Sequence, residues 1–230
     1  MGPLRSLALA CSFAVAIFAA RFLYTGHPTF GFLLWNLTLA LVPVVLALPH
    51  RGGMLRFGIW LAFFPNAPYL VTDLVHLRQR GAPLWFDVGL IAAFAWAGLL
   101  ASCVALHPMR LRVERARGRR AGWVFVVVVA ALSGFGIWIG RFARLNSWDV
   151  VTHPGQVVRA IAGPIFDPMN SGQPWAVTAL FGAFVFVAYA SFASFRDDSP
   201  ASKGTSLPAQ ARLLGSGPHE YVSTEVRDPR

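Results

Sequence analysis

Six runs of mostly apolar residues, 4–20, 29–48, 55–72, 84–106, 121–140 and 175–192, set the terms for any fold this chain can adopt. A bilayer's hydrocarbon core is ~30 Å thick, and a helix rising about 1.5 Å per residue needs about 20 apolar residues to cross it. Backbone polar groups find no water there, so long apolar runs of this kind cross as helices. With 56% hydrophobic and only 13% charged residues, the chain is too apolar for an ordinary soluble domain. The expected fold class is all-α: a polytopic transmembrane helix bundle of about six spans over residues 1–195. A disordered cytoplasmic tail over 196–230 should follow, because its Ser, Pro, Gly and mixed charges leave too little apolar surface to bury. The first run, with Arg5 ahead of it and small residues at its end, also fits a cleavable signal peptide. Removing it would leave five spans and break the charge pattern, so six are favoured.

That pattern explains the net charge of +10, which in a soluble protein would point to nucleic acid. Here the cations fall between spans, where the positive-inside rule accounts for them, and no nucleic-acid partner is implied. With the N-terminus inside, the inner segments carry fourteen of the twenty Lys and Arg residues and the outer segments six. The decisive inner stretch is 110–120, with six arginines. Both termini are therefore expected inside. Cys11 and Cys103 both lie within spans and suggest neither a disulfide framework nor a metal site. No internal repeat or inverted pair of broken helices appears, which weighs against a secondary transporter. Pro154, Pro164 and Pro168 forbid one continuous helix through the connection 141–172, where a short interfacial helix is expected around 157–162. Gly136 and Gly140 form a GxxxG pattern, read as close packing within the bundle.

Polar chemistry gathers where spans should reach the outer face. Pro65, Asn66 and Pro68 interrupt the outer half of the third span, and each proline removes a backbone donor, so a kink is expected. If helix resumes, a 100° step per residue lines up Asn66, Tyr69, Asp73 and His76 on one stripe. Asp73 and His76, three residues apart, fit two chemistries. The carboxylate can orient the imidazole as a general base, or both can ligate a divalent metal with further ligands from elsewhere. A plain helix end in headgroup water fits as well. Asp87 opens the fourth span behind Pro83 and Trp85, where an acid is also favoured by the helix dipole. Arg141 and Arg144 close the fifth span, followed by Asn146, Ser147, Trp148, Asp149 and His153. Arginines at the outer face run against the charge bias, so they are expected to pair with Asp73, Asp87 or Asp149, or to hold an anion such as phosphate or carboxylate. Asn36, buried in the second span ahead of Pro43, needs a partner, either an interhelical one or a ligand. His50 and His107 read as helix-end residues at the inner side.

These words, Asn36 to Pro43, Phe64-Pro-Asn-Ala-Pro-Tyr69 with Thr72-Asp73 and His76, Trp85 with Asp87, and Gly140-Arg-Phe with Arg144 and Asn146 to Asp149, occur in order along the chain. Together they resemble the bacterial multi-pass membrane family known as domain of unknown function 1361. The resemblance covers about 29–191 and implies an integral protein of the bacterial cell (inner) membrane. It brings no established activity, cofactor or ligand.

Several functions fit the residues. An enzyme reading takes Asp73 and His76 as base or metal ligands, Asp87, Asp149 and His153 as further acids or ligands, and Arg141 and Arg144 as the clamp for an anionic, lipid-linked substrate. No His-Glu-x-x-His helix, Gly-x-Ser-x-Gly elbow or P-loop supports it. A ligand-binding or transport reading gives Asn36, Asn66, Tyr69, Arg141, Arg144 and Asn146 to a solute. A third makes the whole constellation a network that locks helix ends together.

Overall fold

The computed structural model describes residues 2–48, 53–77, 81–145, 149–169 and 171–197, and among them every regular element is helical. They are α1 (Pro3–Thr25), α2 (Phe32–Ala47), α3 (Met54–Phe63), α4 (Asn66–Tyr69), a 3-10 helix (Leu70–His76), α5 (Leu84–Arg117), α6 (Arg119–Arg141), α7 (Asp149–Thr152), α8 (Pro154–Phe166) and α9 (Gly172–Asp197). The chain divides into Met1–Ala193 and Ser194–Arg230. The expected tail disorder falls almost wholly on residues outside the described ones.

Four helices, α1, α5, α6 and α9, are long and apolar enough to cross a membrane. The second expected span is the shorter α2, whose 16 residues rise about 24 Å. It continues through Pro43. The third is not one helix. α3 ends at Phe63, α4 holds four residues starting at Asn66, and the chain then winds as a 3-10 helix to His76. Pro65 and Pro68 remove two helix donors within one turn, so the segment breaks where the sequence predicts. The fourth span runs farther than expected. α5 passes through Pro108 to Arg117, so His107 lies inside a helix instead of ending one, and its Nδ1 meets Tyr189 Oη at 3.2 Å. Gly118, with φ of 87°, supplies the left-handed turn that separates α5 from α6. The interfacial helix expected at 157–162 is the longer α8.

α5 is the central element. It packs against α1, α2, α6, α4 and the 3-10 helix. Its Gly98 makes room for the broken segment: a Cβ there would lie 2.5 Å from the Ala67 carbonyl oxygen and 2.9 Å from Leu70 Cβ. Gly136 and Gly140 do the same from α6. Added Cβ atoms would come within 2.8 Å of Pro65 and 3.1 Å of Tyr69 Cε2, so the GxxxG face packs inside the bundle. At the opposite end, Arg56 donates to the carbonyls of Leu46 and Val45, and Arg112 to that of Ala47. Two arginines thus satisfy the open carbonyls at the C-terminus of α2.

Candidate functional site

Arg141, the last residue of α6, reaches across to the end of the broken third segment and is bonded almost to capacity. Its Nη2 donates to Asp73 Oδ1 at 2.5 Å and to Thr72 Oγ1 at 2.7 Å. Nε donates to the same Thr72 oxygen at 3.1 Å, and Nη1 to His76 Nε2 at 2.7 Å. A guanidinium has five N–H donors, so these four bonds leave one, on Nη1. The acceptor nitrogen of His76 carries no proton in this arrangement. Beneath the guanidinium lies the Tyr69 ring, 4.4 Å from Cζ to its centroid, a cation–π contact. Asn36 from α2 closes the cluster by donating to Asp73 Oδ2 at 3.1 Å. Phe32 sets the His76 ring edge-on at 5.1 Å.

The 3-10 winding is what lets one guanidinium reach so many partners. At three residues per turn, Asp73 and His76 return to one side and Tyr69 and Thr72 to the neighbouring one, about 120° round the axis, so a single guanidinium can span the two rows. Thr72 Oγ1 spends its own proton on the Tyr69 carbonyl at 2.7 Å, which leaves its lone pairs for Arg141. Asp73 is 1% exposed, so its charge depends on these donors.

The other expected members are dispersed. Asp87 is fully buried and pairs with Arg21, not with Arg141 or Arg144: Arg21 Nε donates to Oδ1 at 2.6 Å. Arg21, one of the six cations counted to the outer segments, lies inside α1, 1% exposed, with its guanidinium 4.5 Å from the Phe30 ring centroid. The physical reason is helix length. α1 runs to Thr25, five residues past its apolar run, and sets Arg21 beside the first turn of α5. Asn66 turns its amide back onto the Phe63 carbonyl at 3.0 Å and stays off the Asp73 stripe. Asp149 sits in α7, where its Oδ1 meets His153 Nδ1 at 3.1 Å. Asn146, with Ser147 and Trp148, lies outside the described residues. Arg144 is exposed, has a left-handed backbone with φ of 56°, and makes no ion pair among the described residues.

Two cavities share Tyr69 and Gly140 in their walls. One, of about 320 Å³, is lined by Asn36, Asn66 and Tyr69 with Trp35 and Ile161 among its apolar walls. The other, of about 810 Å³, is lined by Thr72, His76, Arg141 and Arg144 among Val71, Leu74, Phe142 and Phe181. Among the described residues no group of three or more His, Cys, Asp or Glu could hold a metal ion. The guanidinium that bonds both Asp73 and His76 further opposes a divalent cation between them. Thr72 and Arg21 were missed in the sequence. For Thr72 the signal was available, since it lies three residues after Tyr69, just past the two prolines, and beside Asp73.

Long apolar helices around a buried, cross-linked polar cluster define an all-α integral membrane protein. The chain belongs to the family described as protein of unknown function (DUF1361), whose model matches residues 35–188, from the residue before Asn36 to α9. No curated protein and no solved structure matches the chain.

Proposed function

We propose that this is a multi-pass protein of the bacterial inner membrane whose outward face binds an anionic lipid head group. The observation that carries the reading is Arg144, a cation without an ion pair among the described residues, on the wall of the 810 Å³ cavity. Asp73 neutralises Arg141, so the cluster alone has no net charge to offer. Arg144 adds one positive charge, and Arg141 keeps one N–H unspent. An anion gains most from such a guanidinium where the surroundings are dry and apolar. Val71, Leu74, Phe142 and Phe181 supply that surrounding and suit an acyl or prenyl chain. The volume lies within the ~300–1,000 Å³ range of small-molecule sites.

Native mass spectrometry of protein released from nanodiscs tests this. Phosphatidic acid should remain bound in preference to diacylglycerol, and Arg144→Ala should abolish the preference. Equal retention of the two lipids, or an unchanged preference in the variant, would refute the reading.

A further inference from the structure

The smaller cavity has a different chemistry from its neighbour. No charged side chain lines it. Its polar groups are Asn36, Asn66 and Tyr69, and each has hydrogen-bonding capacity left over. Asn36 uses one N–H of its amide on Asp73, and Asn66 uses one of its own on the Phe63 carbonyl, which leaves each with a side-chain oxygen as acceptor and a second N–H as donor. The Tyr69 hydroxyl makes no hydrogen bond among the described residues, while its ring is fixed by Arg141 on α6 and by the close approach of Gly140. Two carbonyl oxygens, two N–H donors and one hydroxyl that can do either suit a neutral group bearing several hydroxyls, each of which both donates and accepts. A phosphate, which only accepts, would leave the two carbonyl oxygens without a donor. A hydroxylated ring also has an apolar face, and Trp35, 55% exposed at this cavity, offers an aromatic surface for it.

We propose that this cavity binds the sugar head group of a glycolipid. The proposal takes from the preceding reading only the lipid setting, and it stands whether or not the larger cavity binds an anion. A lipid source is favoured over a free sugar by the walls. Val157 and Ile161 of α8 cover the cavity, and Val158 and Ile165 of the same helix are exposed, as in a helix lying at a bilayer surface. The cavity's 320 Å³ is at the small end of ligand sites and fits a head group, with the acyl chains left in the bilayer.

The full-length protein in nanodiscs containing equal amounts of monoglucosyl diacylglycerol, phosphatidic acid and diacylglycerol provides the test, read by the lipids that stay bound in native mass spectrometry. Monoglucosyl diacylglycerol should be retained over diacylglycerol. Tyr69→Phe, which removes the hydroxyl and keeps the ring, should weaken that retention about fivefold, the scale of one lost hydrogen bond. Asn66→Leu should weaken it as much or more. Phosphatidic acid retention should be unchanged in Asn66→Leu, whose residue lines the smaller cavity and not the larger, and Arg144→Ala should show the reverse pattern, so failure of one cavity is distinguishable from failure of the other. Thermal melts of each variant establish that it is folded. Equal retention of monoglucosyl diacylglycerol and diacylglycerol by the parent protein would overturn the proposal. So would a folded Tyr69→Phe variant with undiminished retention. Displacement of the glycolipid by free methyl glucoside at equal concentration would overturn its assignment to a lipid.

Discussion

Arg141 Nη1 and His76 Nε2 lie 2.7 Å apart, and the same guanidinium donates through Nη2 to Asp73 Oδ1 at 2.5 Å. The Asp/His pair at the end of the third segment is therefore joined through an arginine from another helix. That linkage ties α6 to the broken segment, and Asn36 ties α2 to the same carboxylate.

Removing one partner leaves a charge in poor surroundings. Asp73→Ala and Arg141→Ala should each destabilise the protein by about 3–5 kcal/mol, the scale for breaking a buried ion pair. The double variant should lose less than the sum, since neither charge is then stranded. Thermal melts in detergent of the four proteins read the coupling, and strict additivity would show that the contact carries no energy.

The Arg21–Asp87 pair should behave as a structural link alone. Arg21→Met or Asp87→Leu singly should cost about 3–5 kcal/mol, whereas the two together should recover most of it, because apolar groups of similar size replace both charges. Lipid retention by the double variant should match the parent. A selective loss of anionic lipid in that stable variant would place Asp87 back among the binding residues.

Much of this was legible in the sequence, for reasons that can be named. Prolines 65 and 68 fall within one turn and remove two donors together, where a lone Pro43 or Pro108 is carried by its helix, so the break was readable, and the prolines at 154, 164 and 168 bounded the short helix that became α8. Asp73, His76, Arg141 and Asn36 stood out because ionisable groups and amides are costly in hydrocarbon. Pairing was less legible. Asp87 could have met any arginine at that end of the bundle, and only the length of α1 selects Arg21. Helical phase misled for Asn66, since the 100° step does not survive Pro68 and a 3-10 turn. The end of the fourth span was misjudged because Pro108, a usual stop signal, is accommodated within α5.

Close packing at the GxxxG face gives a steric prediction. Gly136→Ala forces a Cβ to within 2.8 Å of Pro65 and should cost about 1–3 kcal/mol, as overpacking does. Gly58→Ala, in α3 with nothing within 4 Å of the new Cβ, should stabilise by up to about 1 kcal/mol through helix propensity. Melting temperatures moving in opposite directions would confirm the packing, and a neutral Gly136→Ala would contradict it.

The proposed topology can be read by cysteine labelling. In a background with Cys11→Ser and Cys103→Ser, Arg144→Cys should react with an impermeant maleimide on intact cells. Arg115→Cys, exposed at the other end of α5, should react only after permeabilisation. The opposite pattern would invert the protein in the membrane.

The central claim is that Arg144 makes the larger cavity a site for an anionic head group. Thermal stabilisation of the purified protein by added phosphatidic acid tests it most directly, compared among the parent, Arg144→Ala and Arg159→Ala, the last removing an exposed arginine of α8. Saturable stabilisation that persists in Arg159→Ala and is lost in Arg144→Ala is the predicted result. Equal loss in both variants, which would mean general charge attraction, or no stabilisation of the parent, would contradict it.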